Sequence, residues 1–389
     1  MTGMVNALFL AAHYMASAPR RTVVLVLGTT VALFLPVFTW LAAAQLEDTM
    51  YARAQSSPIV VGHAGNEFDL VISSLYFRGQ VRDPITAGDW RRIRQRRDVV
   101  AVPLYARYRA SGAALVGTNL DYFDQRGLQI EAGRLPGVLG EVVAGSDVAA
   151  AFDLSPGDTV RSDLTNLYNI AGSYPIMLEV VGLLAPSGTP DDQAFFGDVK
   201  TTWVIDGLFH GHDEVTRASS LNPDREEENL EATAALFMFS EINAQNRSSF
   251  HLHGSQDEAP ITSVMVFPKD QRAHDQFLGD FALEETLQAV RPVKVIETIF
   301  GIVLRLRDAM GVYFAAVAVT TAAFYWLAVT LSLRLRHEEL TLMRRLGSSR
   351  WAITTIVGAE IGLVLLASVC CTALFVWAGL SLLSAATVG

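Results

Sequence analysis

Cysteine is almost missing from this chain of 389 residues: there are two, Cys370 and Cys371, both inside the last apolar run. Everything before them can hold no disulfide and no thiolate metal site, so a domain built there must be stabilised by its own core. No Gly-x-x-x-x-Gly-Lys-Ser/Thr phosphate loop is present, which excludes ATP hydrolysis by that route. Neither a Gly-x-Ser-x-Gly elbow nor a His-Glu-x-x-His helix occurs, and the position of both cysteines argues against a thiol nucleophile. The chain is therefore expected to be non-catalytic. Positive charge is short as well: the net charge is −10, and no nucleic-acid partner is expected.

What the chain has in plenty is apolar residues, 51% of the total with a mean hydropathy of +0.30. Residues 22–44 and 309–333 each suit one crossing of a hydrocarbon core about 30 Å thick, and 352–386 is longer than one crossing needs. Three transmembrane helices in contact with membrane lipid are expected. Residues 1–44 and 309–389 together carry +4, whereas 45–308 carry −14. Arg20 and Arg21 precede the first run, and Arg334, Arg336, Arg344, Arg345 and Arg350 fill the segment 334–351 between the other two. Positive charge marks the cytoplasmic side, so 45–308 is expected outside it, with Arg305 and Arg307 as exceptions offset in part by Asp308. Within residues 1–21, Leu8, Phe9, Ala12, Met15 and Ala16 recur at helical spacing, as in an interfacial amphipathic helix. The first apolar run exceeds the roughly 7 to 15 residues of a signal-peptide core, so retention rather than cleavage after Ala42-Ala43-Ala44 is expected.

In the acidic stretch the pattern changes to short alternating runs. Ser57–Val61, Phe68–Ser73 and Val99–Arg109 read as strands, with a helix over Ala87–Arg97. Near the far end Ile261–Phe267 and Val293–Glu297 read as strands around a helix over Gln271–Val290. Two such units bracketing residues 115–258 suggest a lobe with a second lobe inserted. Inside the insertion, Glu141–Val160 reads as strand, short helix and a Pro156-Gly157-Asp158 turn before the next strand. Asp224–Glu231 is an acidic run of the kind that starts a solvated helix. His210, His212, His251 and His253 form two alternate pairs close to carboxylates, a pattern suited to zinc or another borderline metal if the pairs meet.

The segment 334–351 carries the strongest motif. At helical spacing Leu340, Met343 and Leu346 share one side, while Glu338, Glu339, Arg344 and Arg345 fall largely elsewhere, and Gly347 would end the turn. A helix too short to span, held between two that can, lies at the membrane surface and is a candidate docking surface. Arg336, Glu339, Leu340, Arg344, Leu346, Gly347, Ser349, Arg350 and Ile353 resemble the loop of FtsX-like permease subunits of MacB-type ABC transporters, and Glu360 falls where that family often has a glutamate.

The resemblance implies a membrane protein with α-helical transmembrane segments and a large α+β extracytoplasmic domain, a porter-like lobe with an inserted second lobe. "Gly-Asp-x-Val" at Gly157–Val160 and the strand and turn of Leu178–Leu184 and Ser187–Asp191 are similar to the family's exported domain. It implies that Glu339, Leu340, Met343, Arg344, Leu346, Gly347 and Arg350 couple to a separate cytoplasmic ABC ATPase that holds the ATP. It further implies a second permease copy or paralogue, a periplasmic or lipoprotein partner, and location in the bacterial inner membrane with the large domain in the periplasm or outside the cell. Family members usually carry a fourth membrane helix, so a shortened or three-span variant is expected. Movement driven by the ATPase would pass to the exported domain for export or extraction of a substrate. The alternative is an FtsX-like regulator that switches a cell-wall hydrolase, and a third class is a membrane-anchored metalloenzyme.

Overall fold

The computed structural model describes residues 2–17, 19–79, 81–163, 175–210, 241–252, 254–335 and 337–388. It divides into two units, one made of Met1–Asp48 with Ile299–Gly389 and the other of Thr49–Thr298. In chain order the elements begin with helices α1 (Thr2–Ser17) and α2 (Pro19–Gln55), then strand β1 (Ile59–His63), α3 (Glu67–Tyr76), β2 (Ile85–Thr86), α4 (Ala87–Arg94), β3 (Val99–Ala110) and β4 (Ala113–Thr118). Next come α5 (Leu120–Arg126), β5 (Ile130–Gly133), β6 (Glu141–Ala144), α6 (Ser146–Ala151), β7 (Thr159–Arg161), β8 (Met177–Leu184), β9 (Ala194–Asp198), α7 (Val199–Ile205) and β10 (Phe209–His210). The described chain resumes with β11 (His251–Leu252), β12 (Pro260–Ile261), β13 (Ser263–Pro268), α8 (Gln271–Phe281) and β14 (Leu287–Val290), and closes with α9 (Pro292–Leu335), α10 (His337–Arg345) and α11 (Arg350–Val388).

In the Thr49–Thr298 unit, one sheet runs in the order β14-β1-β13-β3-β4-β9-β6-β8-β5, with β7 added to β8. The long strand β3 makes this continuous. Its first half, Val99–Leu104, pairs antiparallel with β13, and from Tyr105 onward it pairs antiparallel with β4, with a register shift between Tyr105 and Tyr108. Such a shift bends a strand and raises its twist, so one strand can serve two differently oriented halves. Valine and aromatic residues fill the interior: Trp203, Tyr105, Tyr122, Phe195, Phe196 and Phe277 are fully buried, and Trp203 Nε1 donates to Pro260 O at 2.8 Å. Phe196 sits among Phe77, Tyr122 and Phe123, at centroid distances of 5.8, 5.3 and 5.9 Å.

Three local expectations are corrected. Phe68–Ser73 is not a strand but part of α3, because Asn66 Oδ1 accepts the Phe68 N–H at 3.0 Å as an N-cap and Leu70, Val71, Ser73, Ser74 and Leu75 bury one helical face. Val293–Glu297 belongs to the opening turns of α9, where Pro292 supplies the first helical position and Val295 and Ile296 are buried. The helix over Gln271–Val290 stops at Phe281, and Leu287–Val290 is the edge strand β14, paired with β1. Asp224–Glu231 lies outside the described residues.

The other unit is helical. Among the described residues, three helices are long and apolar enough to cross a membrane: Pro19–Gln55, Met310–Leu331 and Arg350–Leu383. Within this unit α2 and α11 run parallel, since their contacts advance together along both chains. Arg21 pairs with Glu360 at 2.5 Å, Ser368 Oγ donates to Val26 O at 3.3 Å, and Phe34 meets Phe375 edge-on at 6.3 Å. Thr30, Ser368 and Thr372 are buried along the seam, small polar residues that let two helices approach closely. At its far end a Cβ on Gly379 would stand 2.7 Å from the Phe38 ring, so any larger residue there would require that ring to shift. Helix α1 packs on α11 and buries Ala7 and Ala11, while Leu8 and Phe9 stay exposed.

Candidate functional site

The segment from His337 to Trp351 is a helix stop followed at once by a helix start. Ser348 N–H donates to Met343 O at 3.0 Å and Gly347 N–H to Arg344 O at 3.1 Å, with Gly347 at φ 94°. This pair of bonds closes α10 in a Schellman motif, which requires a residue of positive φ where Gly347 stands. Two residues later Ser349 Oγ accepts the Ala352 N–H at 3.2 Å and caps the N-terminus of α11. Gly347 and Ser349 are thus accounted for by local folding. The apolar residues are not: Leu342 is 60% exposed, Leu346 79% and Trp351 80%, with Met343 also exposed. Arg344, Arg345 and Arg350 are exposed beside them. The backbone of Glu339 and Leu340 lies within α10.

Exposed apolar side chains with cations among them, spread over the end of α10, the turn and the start of α11, can bind a groove of apolar floor and acidic rim. Because α2 and α11 are parallel, their N-terminal ends share one end of the helical unit, so Arg20 and Arg21 stand at the same end as Arg344, Arg345 and Arg350. Tyr325, Val329 and Leu333 of α9 line a small cavity there with Arg21, Leu25, Val357, Glu360 and Ile361.

The histidines are brought together only in part. His210 pairs across the β10–β11 ladder with His251, and His251 Nδ1 lies 2.8 Å from Ser249 O. His212 and His253 lie outside the described residues. Among the described residues no three of His, Cys, Asp and Glu gather to hold a metal ion.

A second cluster had no sequence motif to announce it. Arg53, in the last turn of α2, is buried and binds Asp191 through both oxygens, Nη1 to Oδ2 at 2.5 Å and Nη2 to Oδ1 at 2.7 Å. Asp191 stands on a 3-10 turn, Pro190–Gln193, held there by Thr189 Oγ1 at 2.9 Å and by the Tyr122 hydroxyl at 2.5 Å. Arg53 Nε donates to Leu75 O at 3.0 Å, at the end of α3. Burial first, and the Asp191 charge second, hold the Tyr122 hydroxyl well above the ordinary phenol range, so it stays a donor. Arg53 and Asp191 are 138 residues apart in sequence, and neither is preceded by a pattern that would pair them.

Residues 22–230, more than half of the chain, match the MacB-like periplasmic core domain. Among solved structures, the periplasmic region of MacB from Actinobacillus actinomycetemcomitans is similar at 14% identity and a TM-score of 0.36, over 63% of this chain and 94% of that one. The extracellular domain of the noncanonic ABC-type transporter YknZ from Gram-positive bacteria gives 11% and 0.32, over 60% and 98%. A domain of a putative permease protein from Porphyromonas gingivalis gives 9% and 0.28, over 60% and 86%. No curated protein matches the chain. With the match over residues 22–230 and, among the described residues, three helices long and apolar enough to cross a membrane, the chain belongs to the MacB-like family of ABC transporter permeases.

Proposed function

We propose that the chain transmits movement from a cytoplasmic ATPase to its own extracytoplasmic domain, with α10 and the turn at Gly347 as the docking element. The observation that carries this is the set of exposed apolar side chains around a turn fixed by its capping bonds: Leu342 and Met343 on α10, Leu346 at its end and Trp351 at the start of α11. Leucine and tryptophan side chains of that exposure gain from burial in a partner, about 1 to 3 kcal/mol for a leucine. Arg344, Arg345 and Arg350 would set the orientation of docking and exclude a basic partner. ATP binding would act on the permease only through a difference in affinity between two of its conformations. The charge bias and the shared end of Arg20, Arg21 and the α10 arginines support an orientation with that end in the cytoplasm and residues 45–308 outside it; a bacterial inner membrane and a second permease copy belong to the same proposal.

The test is co-purification. Leu346→Ala and Arg344→Glu should both reach the membrane, since neither alters a span, and both should lose the ATPase or its stimulation. Wild-type recovery of the ATPase by both variants would reduce the segment to an ordinary positive loop.

A further inference from the structure

Two arginines face Asp191, and one of them holds it. Arg53 takes both carboxylate oxygens, whereas Arg126 Nε stops 3.7 Å from Oδ2. The Arg126 side chain is 3% exposed, and its Nε is a buried donor with no hydrogen-bond partner among the described residues. Its Nη1 is held elsewhere, by Ser56 O at 3.1 Å, Ser56 Oγ at 2.7 Å and Ser57 Oγ at 2.9 Å. Those serines follow directly on α2, the helix that carries Arg53.

We infer that Asp191 is the shared station of an exchange latch: Arg53 holds it while the last turn of α2 is seated, and Arg126 takes it when that turn withdraws. The inference rests on the transmission reading, because α2 is the helix of the first candidate span and Arg53 is its contact with the Pro190–Gln193 turn. Withdrawing Arg53 alone would leave Asp191 buried without a cation, and a stranded buried charge is strongly destabilising, so a single-arginine latch would not open. Arg126 removes that obstacle. The groups that keep it off Asp191 are on the same segment as Arg53, so one displacement takes away Arg53 and releases Arg126 Nη1 together. Tyr122, on α5 like Arg126, donates to Asp191 Oδ1 and keeps the carboxylate oriented through the exchange. The orphaned Nε of Arg126 then gains the acceptor it lacks in the seated arrangement.

The full-length chain in detergent tests this without any ATPase, so its outcome is separate from that of the docking loop. Thermal unfolding is compared for Arg53→Gln, Arg126→Gln, the double variant, and the double variant with Asp191→Asn. Each single change should lower Tm by about 3 °C, since the other arginine takes Asp191, and the double change by at least about 10 °C, well beyond the sum. Adding Asp191→Asn should recover most of the loss, including where the double variant does not fold. In Arg53→Gln, amide exchange should rise at residues 49–57 and stay unchanged at 187–198. Additive losses, no recovery with Asp191→Asn, or rising exchange at 187–198 would overturn the inference and leave Arg53 a fixed structural ion pair.

Discussion

Replacement of Gly347 isolates one physical term. At φ 94° the residue lies where side chains are strained, yet a Cβ built there meets nothing within 4 Å. Any cost of Gly347→Val is therefore backbone strain and not a clash, about 2 kcal/mol for a β-branched residue, or about 30-fold in the population of the turn. The turn consists of the bonds from Ser348 N–H to Met343 O and from Gly347 N–H to Arg344 O. Asparagine tolerates left-handed backbone and should cost least, alanine more and valine most. Hydrogen exchange of the Ser348 amide reads this directly, because the bond is lost whenever the turn opens. Exchange should accelerate in the order Asn, Ala, Val, with little change in global Tm, since the loop is exposed. Three indistinguishable variants would refute the reasoning, and so would a fall in global Tm matching that of a core change.

Three other outcomes are expected. A cysteine at Ser187 should react with a membrane-impermeant thiol reagent in spheroplasts and one at Ser348 should not; labelling at both would overturn the orientation. Glu141 is held below the usual carboxylate range first by the Arg134 side chain, then by the Gly137 and Val138 amides, against its own desolvation. Such a group contributes stability above its unfolded pKa and loses it as pH falls through the lowered folded value, so Glu141→Gln should lower Tm at neutral pH and flatten the acid limb of Tm against pH. If the histidine pairs converge, the purified chain should bind about one zinc per molecule and lose it on His210→Ala with His212→Ala; elemental analysis showing none returns them to surface residues.

The loop after α9 was legible because its information is contiguous: helical spacing of Leu340, Met343 and Leu346, a glycine at the stop and a serine at the next start all lie within ten residues of sequence. Turns with local chemistry, such as Pro156–Asp158 before β7, were legible for the same reason. Short β-branched runs were not. Phe68–Ser73 and Val293–Glu297 carry strand-like residues, and the Asn66 cap and the Pro292 start outweigh that preference. Least legible was the cluster at Asp191, whose members come from α2, α3, α5 and a 3-10 turn. No local pattern specifies an ion pair that only the assembled sheet brings together.

The docking of α10 on an ATPase is tested most directly by contact in living cells. A photoreactive amino acid replacing Leu346, 79% exposed, should on irradiation yield an adduct with a protein bearing the Gly-x-x-x-x-Gly-Lys-Ser/Thr phosphate loop that this chain lacks. The same probe at Phe324, 58% exposed on an apolar candidate span, should not. No such adduct from position 346, or an equal yield from position 324, would contradict the account.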